Sequence, residues 1–139
     1  MASIQKFEEI EAWQKGRQLT RRIYQLTSKG GFTRDFTLKD QIKRAAISIT
    51  SNIAEGFERG GNREFIQFLA VAKGSTSELK SQLYTALDVG YITRDEFEEL
   101  YQLAQSIVLL ISGFIKYLQQ SELRGRKFKA SPNQNNPER

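Results

Sequence analysis

No proline occurs before Pro132, and the chain's only other proline is Pro137. Proline removes a backbone donor and blocks the interior of a helix, so this long stretch without one permits uninterrupted helices. Glycine interrupts the stretch instead. Gly30-Gly31 and Gly60-Gly61 each break a helical pattern, and GYIT at 90–93 marks a third turn. Between these breaks apolar residues recur at spacings of three and four, the period of a helix buried along one side.

The spacing predicts helix A over about 7–28, where Trp13, Gly16, Thr20, Ile23 and Thr27 form a stripe flanked by Leu19 and Leu26. Helix B is expected from an N-cap at Thr37 to about Phe57, with a core line of Leu38, Ile42, Ala45, Ile49 and Ile53. Helix C follows from an N-cap at Asn62 and carries Phe65, Phe68, Leu69, Ala72, Leu79, Leu83, Ala86 and Leu87. Thr93 with Glu96 three residues on reads as a capping box opening helix D, and the acids of DEFEE suit the first-turn dipole better than they suit a metal. Helix D carries Phe97, Leu100, Tyr101, Ala104, Ile107, Val108, Ile111, Phe114, Ile115 and Leu118 on its stripe. The expected fold is all-α, an up-and-down antiparallel four-helix bundle over residues 1–122. Residues 123–139 read as a flexible, disordered basic tail, with Phe128 their single aromatic.

The chain has no cysteine and no histidine, which excludes disulfides, thiol nucleophiles, imidazole bases and the usual zinc sites. No enzyme activity, cofactor or metal is expected. The start MASIQKFEEIEAW has no apolar run behind a basic region, so a cytoplasmic setting without a membrane partner is the expectation. IVLLISGFI at 107–115 is much shorter than the roughly 20 residues of a membrane span and is expected inside protein.

Two helices carry more apolar surface than a lone bundle uses. Helix D has a second line, Leu103, Leu110 and Tyr117, and helix B places Ile47 and Ala54 off its core line. A helix apolar around much of its circumference is usually covered on more than one side, so these five residues are expected at the interfaces of a homo-oligomer.

Gln41, Arg44, Ser48, Asn52, Glu55 and Arg59 form a polar row beside the apolar stripe of helix B. Three readings of it compete. In the first it is a structural seam against helix C: a hairpin centred on Gly60-Gly61 sets Arg44 near Ser77 and Glu78 and Ser48 near Gly74, pairing satisfies the charges, and the small side chains of AKGSTSE, Ser75 among them, permit close approach. In the second, Glu55 and Glu78 act as a catalytic carboxylate pair, but the same register places them three turns apart, too far for such work. In the third the row is a contact surface for RNA or a protein partner.

The chain's net charge of +5 is concentrated near its end, where Arg124, Arg126, Lys127, Lys129 and Arg139 face only Glu138. Between Ala12 and Arg34 there are six cations, Lys15, Arg17, Arg21, Arg22, Lys29 and Arg34, and no acid. Lys15, Gln18, Arg22, Gln25 and Lys29 form one polar face of helix A, either an ordinary solvated face or a surface that attracts phosphate together with the tail cations. Nothing here resembles a base-reading module, so binding is expected to follow shape and charge.

QIKRAAISITSNIAEG, then REFIQFLAVAKGSTSELKSQL, then LDVGYI resemble the four-helix-bundle family encoded in intervening sequences of bacterial 23S ribosomal RNA genes, a family mostly of unknown function. The similarity covers roughly residues 6–120 and places Arg44, Ser48, Asn52, Glu55, Gly56, Gly74, Ser75 and Glu78 on the family pattern. The stretch GGFTRDFTL departs from the Phe-Pro turn of many members. The family is also similar to the accessory variability determinant of diversity-generating retroelements, which implies a homopentamer and RNA binding, with ribosomal RNA, a retroelement template or a reverse transcriptase as partner. The expected function is therefore a non-enzymatic, homopentameric bundle that binds RNA or an RNA–protein complex. The alternative is a protein–protein interaction scaffold with no nucleic-acid role.

Overall fold

In the computed structural model the described residues are 3–130, with side chains described as far as Ser121. Four helices follow in order: α1 (Glu11–Thr27), α2 (Phe36–Glu58), α3 (Asn62–Asp88) and α4 (Arg94–Ala130). Short 3-10 turns at Phe7–Glu9 and Gly30–Arg34 precede α1 and α2. Each helix packs on two neighbours, with α1 and α3 at opposite corners of the square. Neighbours run antiparallel. Ser48 meets Ser75 while Gly56 meets Phe68, and Lys80 meets Gln105 while Tyr84 meets Tyr101. This is the up-and-down four-helix bundle, all-α over the described residues.

The core follows most of the stripes read from the spacing, although Trp13, Thr20, Leu38, Phe68 and Leu87 are only half-buried and Ile10, Ala12, Phe32, Ala46 and Ile92 join the core from outside them. Leu19 and Ile23 of α1, Ile42, Ile49 and Ile53 of α2, Leu69, Leu79 and Leu83 of α3, and Leu100, Ile107 and Ile111 of α4 are fully buried. Two threonines join them. Thr27 and Thr76 return their hydroxyls to the carbonyls of Ile23 and Ala72, both at 2.8 Å, which satisfies a buried donor inside its own helix. By length and apolarity residues 94–121 of α4 are long enough to cross a membrane. Within IVLLISGFI, Ile107 and Ile111 face the core, whereas Leu109 is 63% exposed.

Several helix ends differ from expectation. Helix A does not begin at Phe7, because Ile10 takes an extended conformation and is buried, turning the preceding segment so that Phe7 packs edge-on to Trp13 at 5.2 Å. The cap of α2 is Asp35 rather than Thr37: its carboxylate accepts the Leu38 amide at 3.0 Å and the Tyr91 hydroxyl at 2.9 Å. Tyr91 also stacks on the buried Phe32, so the departure at GGFTRDFTL is a tertiary lock that ties this connection to the α3–α4 turn. Asn62 is already helical, and Gly61 takes the cap position because Gly60, at φ 88°, completes the reversal before it. Thr93 and Glu96 form the expected reciprocal capping box, at 2.9 and 3.1 Å.

The amide of Leu38 and the hydroxyl of Tyr91 stabilise the charged form of Asp35 and hold its pKa below the ordinary carboxylate value. A lowered folded-state pKa contributes stability above the unfolded value of about 3.9 that is lost as pH falls through the folded value. Acid unfolding curves below about pH 4 should therefore show a shallower decline in thermal midpoint for Asp35→Ala than for the parent, from a lower starting midpoint at neutral pH. Equal slopes would show that Asp35 is not part of the acid response.

Candidate functional site

The polar row on α2 divides in two. Its inner members close the α2–α3 seam: the Ser48 and Ser75 hydroxyls share a 2.8 Å hydrogen bond, and Asn52 Nδ2 donates to the Ser48 carbonyl at 2.8 Å and to its Oγ at 3.0 Å. All three are half-buried, where a side chain needs a partner. Below them, Gly56 lies against Phe68 and Phe65 so closely that no side chain fits.

The outer members face solvent. Arg44, Glu55 and Glu78 are exposed, and the expected Arg44–Glu78 ion pair does not form. Glu78 instead accepts from Gln82, and Glu55 accepts from Arg59 at 2.9 Å, each within its own helix. The exposure of both groups is the physical reason. Ser48 meets Ser75 where a hairpin centred on Gly60-Gly61 would have set it by Gly74, and at the rim of an open groove two long side chains gain little by meeting. Gly74 itself has open space where a side chain would stand.

The cations of α1 divide as well. Arg22 turns toward α4, where its guanidinium grips Glu99 with two hydrogen bonds of 2.9 and 3.0 Å. The hydrogen bond raises the Arg22 pKa and lowers that of Glu99, so both remain charged. Arg22 is thus committed to the bundle and is not available to phosphate as expected. Lys15 is half-buried, and Lys29 is exposed at the end of α1.

Arg17 and Arg21 lie on the other side of α1, along its groove with α2, and both are exposed. The Arg17 guanidinium sits 5.8 Å from the Trp13 ring, and the Lys43 ammonium of α2 sits 4.4 Å from the ring of Tyr24. The helix pair is held at contact here because Gly16 abuts Ile49 and Thr50, and the Thr20 hydroxyl reaches the Ala46 carbonyl at 3.3 Å. Arg17 and Arg21 line one cleft of this groove up to Tyr24, and Tyr24 also borders the next cleft, which Lys43, Arg44, Asp40 and the exposed Ile47 line. Trp13, Tyr24 and Lys43 were missing from the basic surface read from the sequence. Folding α1 back on α2 about the Gly30–Asp35 connection would have found them, since it sets Tyr24 opposite Lys43.

The residues expected at oligomer contacts are spread over three places. Ile47 lies in the α1–α2 groove, and Ala54 is half-buried. Leu103 and Leu110 are half-buried against the core, so the bundle itself covers part of that line. Tyr117 stands 40% exposed at the rim of an aromatic cleft of about 490 Å³ that includes Phe57, Phe65 and Phe114. The expected contacts of Arg124, Arg126, Lys127 and Lys129 lie outside the described side chains, and residues 131–139 lie outside the described residues.

The family model of the 23S rRNA-intervening sequence protein matches residues 8–113, from the turn before α1 well into α4. Among solved structures, the chain is similar to a protein of unknown function from the S23 ribosomal protein family of Bacteroides thetaiotaomicron VPI-5482. That similarity has a TM-score of 0.70 and 25% sequence identity, and it covers 76% of this chain and 95% of the other. No curated protein matches. The match extends over most of the bundle and includes both helices of the polar seam, and the chain belongs to the 23S rRNA-intervening sequence protein family.

Proposed function

We propose that this protein is a non-enzymatic, homo-oligomeric bundle that binds RNA through its basic surfaces, with a pentamer as the assembly. The observation that carries the RNA reading is the α1–α2 groove, where Arg17 and Arg21 of α1 line one cleft and Lys43 and Arg44 of α2 line the next, with Asp40 the one acid among the lining residues. Cations that outnumber acids along a groove attract phosphate and release its counterions. The partner is ribosomal RNA or an RNA–protein complex.

A salt titration of binding to ribosomal RNA fragments tests this reading. Affinity should fall steeply with salt, and replacing Arg17 and Arg21 together by Glu should reduce the slope of log affinity against log salt by about 1.5 or more, the share of two phosphate contacts. Absence of binding at low salt would overturn it. Arg22 is a poor choice for this test, since reversing its charge also breaks the Glu99 contact. A protein scaffold is the second reading, favoured by the exposure of Leu109 at 63% and Val71 at 51%.

A further inference from the structure

We infer that the α1–α2 groove takes single-stranded RNA, with unpaired bases stacking on Trp13 and Tyr24 while Arg17, Arg21 and Lys43 hold the backbone; the inference rests on the RNA-binding reading above. Three shallow clefts line this face, and they are continuous. The first two share Trp13, Arg17 and Arg21, and the second and third share Tyr24. Trp13 and Tyr24 are separated by eleven residues of α1, about 16 Å along the helix, with the two arginines between them.

Alternation of aromatic rings with cations is what a single strand requires. Its bases are free to stack on side chains, and its phosphates need charge at intervals along the same track. A duplex would use the cations and leave the rings idle, because its bases are already stacked on each other. The cations also rest against rings when nothing is bound, Arg17 on Trp13 and Lys43 on Tyr24, so a base can enter beside a guanidinium or ammonium that continues to contribute cation–π attraction. Thr20 and Thr50 border the middle cleft with their hydroxyls donated to backbone carbonyls, and Asp40 is the one acid among the lining residues, at the far end of the track.

Trp13 is the chain's only tryptophan, so its fluorescence reports on this groove alone. The full chain would be titrated at low salt with a uridine oligomer of about twelve nucleotides and with an RNA duplex of the same length. Single-stranded RNA should bind more tightly and quench Trp13. Tyr24→Ala should weaken that binding about 5- to 100-fold with little change in salt slope, Tyr24→Phe should restore it, and duplex binding should be unaffected by either. Circular dichroism would confirm an intact fold; Tyr24 is 42% exposed, so its truncation leaves the core whole. Equal binding of duplex and single strand, without quenching and insensitive to Tyr24→Ala, would overturn the inference and leave the RNA-binding reading standing. No binding of either RNA would overturn both. Trp13 emission that shifts with protein concentration and ignores RNA would assign the groove to a second copy of the chain and likewise sink the inference.

Discussion

Gly56→Leu is expected to be among the most damaging single substitutions in the bundle, while Gly74→Ala on the facing helix is expected to be harmless or stabilising. A Cβ at position 56 would lie 2.6 Å from the Cβ of Phe68 and 3.0 Å from Cδ1 of Phe65. The first of these atoms is fixed to the α3 backbone and cannot rotate away, so α2 and α3 must separate. Separation loosens Ile53, Phe65 and Leu69 and pulls apart the Ser48–Ser75 hydrogen bond. Alanine at 56 already overpacks the site, at a typical cost of about 1–3 kcal/mol, offset by the roughly 1 kcal/mol that alanine gains over glycine in a helix. Leucine adds three more carbons to a place that has no room for the first, and should exceed that range. At position 74 no atom lies within 4 Å of the new Cβ, so only the helix propensity gain of up to about 1 kcal/mol remains. Thermal unfolding separates the two cases, since each kcal/mol shifts the midpoint of a domain this size by about 3–5 °C. Destabilisation at both sites, or at neither, would contradict the packing described.

Ile107→Ala should be comparably severe for the opposite reason. Ile107 is completely buried between α4 and its neighbours, and removing its outer carbons leaves a cavity that surrounding helices only partly close. Such truncations cost about 2–5 kcal/mol. Two positions on, Leu109 points outward at 63% exposure, and Leu109→Ser should change the stability of the dilute chain by less than about 0.5 kcal/mol. Denaturant unfolding reads both. Measured beside light scattering, the Leu109 variant also tests assembly: if the outer face of α4 joins copies, this change lowers the particle mass while sparing the bundle. A monomer mass for the parent chain would remove the oligomer from the proposed function.

Much of this architecture was legible because helical period and turn chemistry agree along the chain. The stripes through Ile42, Ile49 and Ile53 and through Leu100, Ile107 and Ile111 needed no knowledge of their partners, since a helix declares its buried side locally. The Thr93–Glu96 box was legible for the same reason. Interactions between elements were harder to read. Asp35 displaced Thr37 as the cap because Tyr91, 56 residues away, holds its second carboxylate oxygen. Pairing Arg44 with Glu78 followed from a register set by counting outward from two glycines, but both groups are exposed and their charges stay in water. The candidate site suffered from the same gap. A wheel drawn for α1 alone grouped Arg22 with Lys15 and Lys29, but Arg22 pairs with Glu99 of α4, and the surface proposed for RNA is on the other side of α1, where Lys43 of α2 meets Tyr24.

The Arg22–Glu99 contact has a consequence for how the chain reaches its structure. Three of the four helix-to-helix contacts join neighbours in sequence, α1 with α2, α2 with α3 and α3 with α4, and each closes across a short turn. Topologies dominated by such local pairings fold in microseconds to milliseconds. The closure of α1 on α4, 77 residues apart at Arg22 and Glu99, joins distant segments, as does the Tyr91–Asp35 contact, 56 residues apart. The α1–α4 closure joins the two ends of the bundle and gains most once the three turns between them have formed, which places it late in folding. Removing the partly exposed ion pair by Arg22→Ala is therefore expected to speed unfolding by no more than about fivefold and to leave the folding rate unchanged, and a slowed folding rate in stopped-flow kinetics would contradict this order.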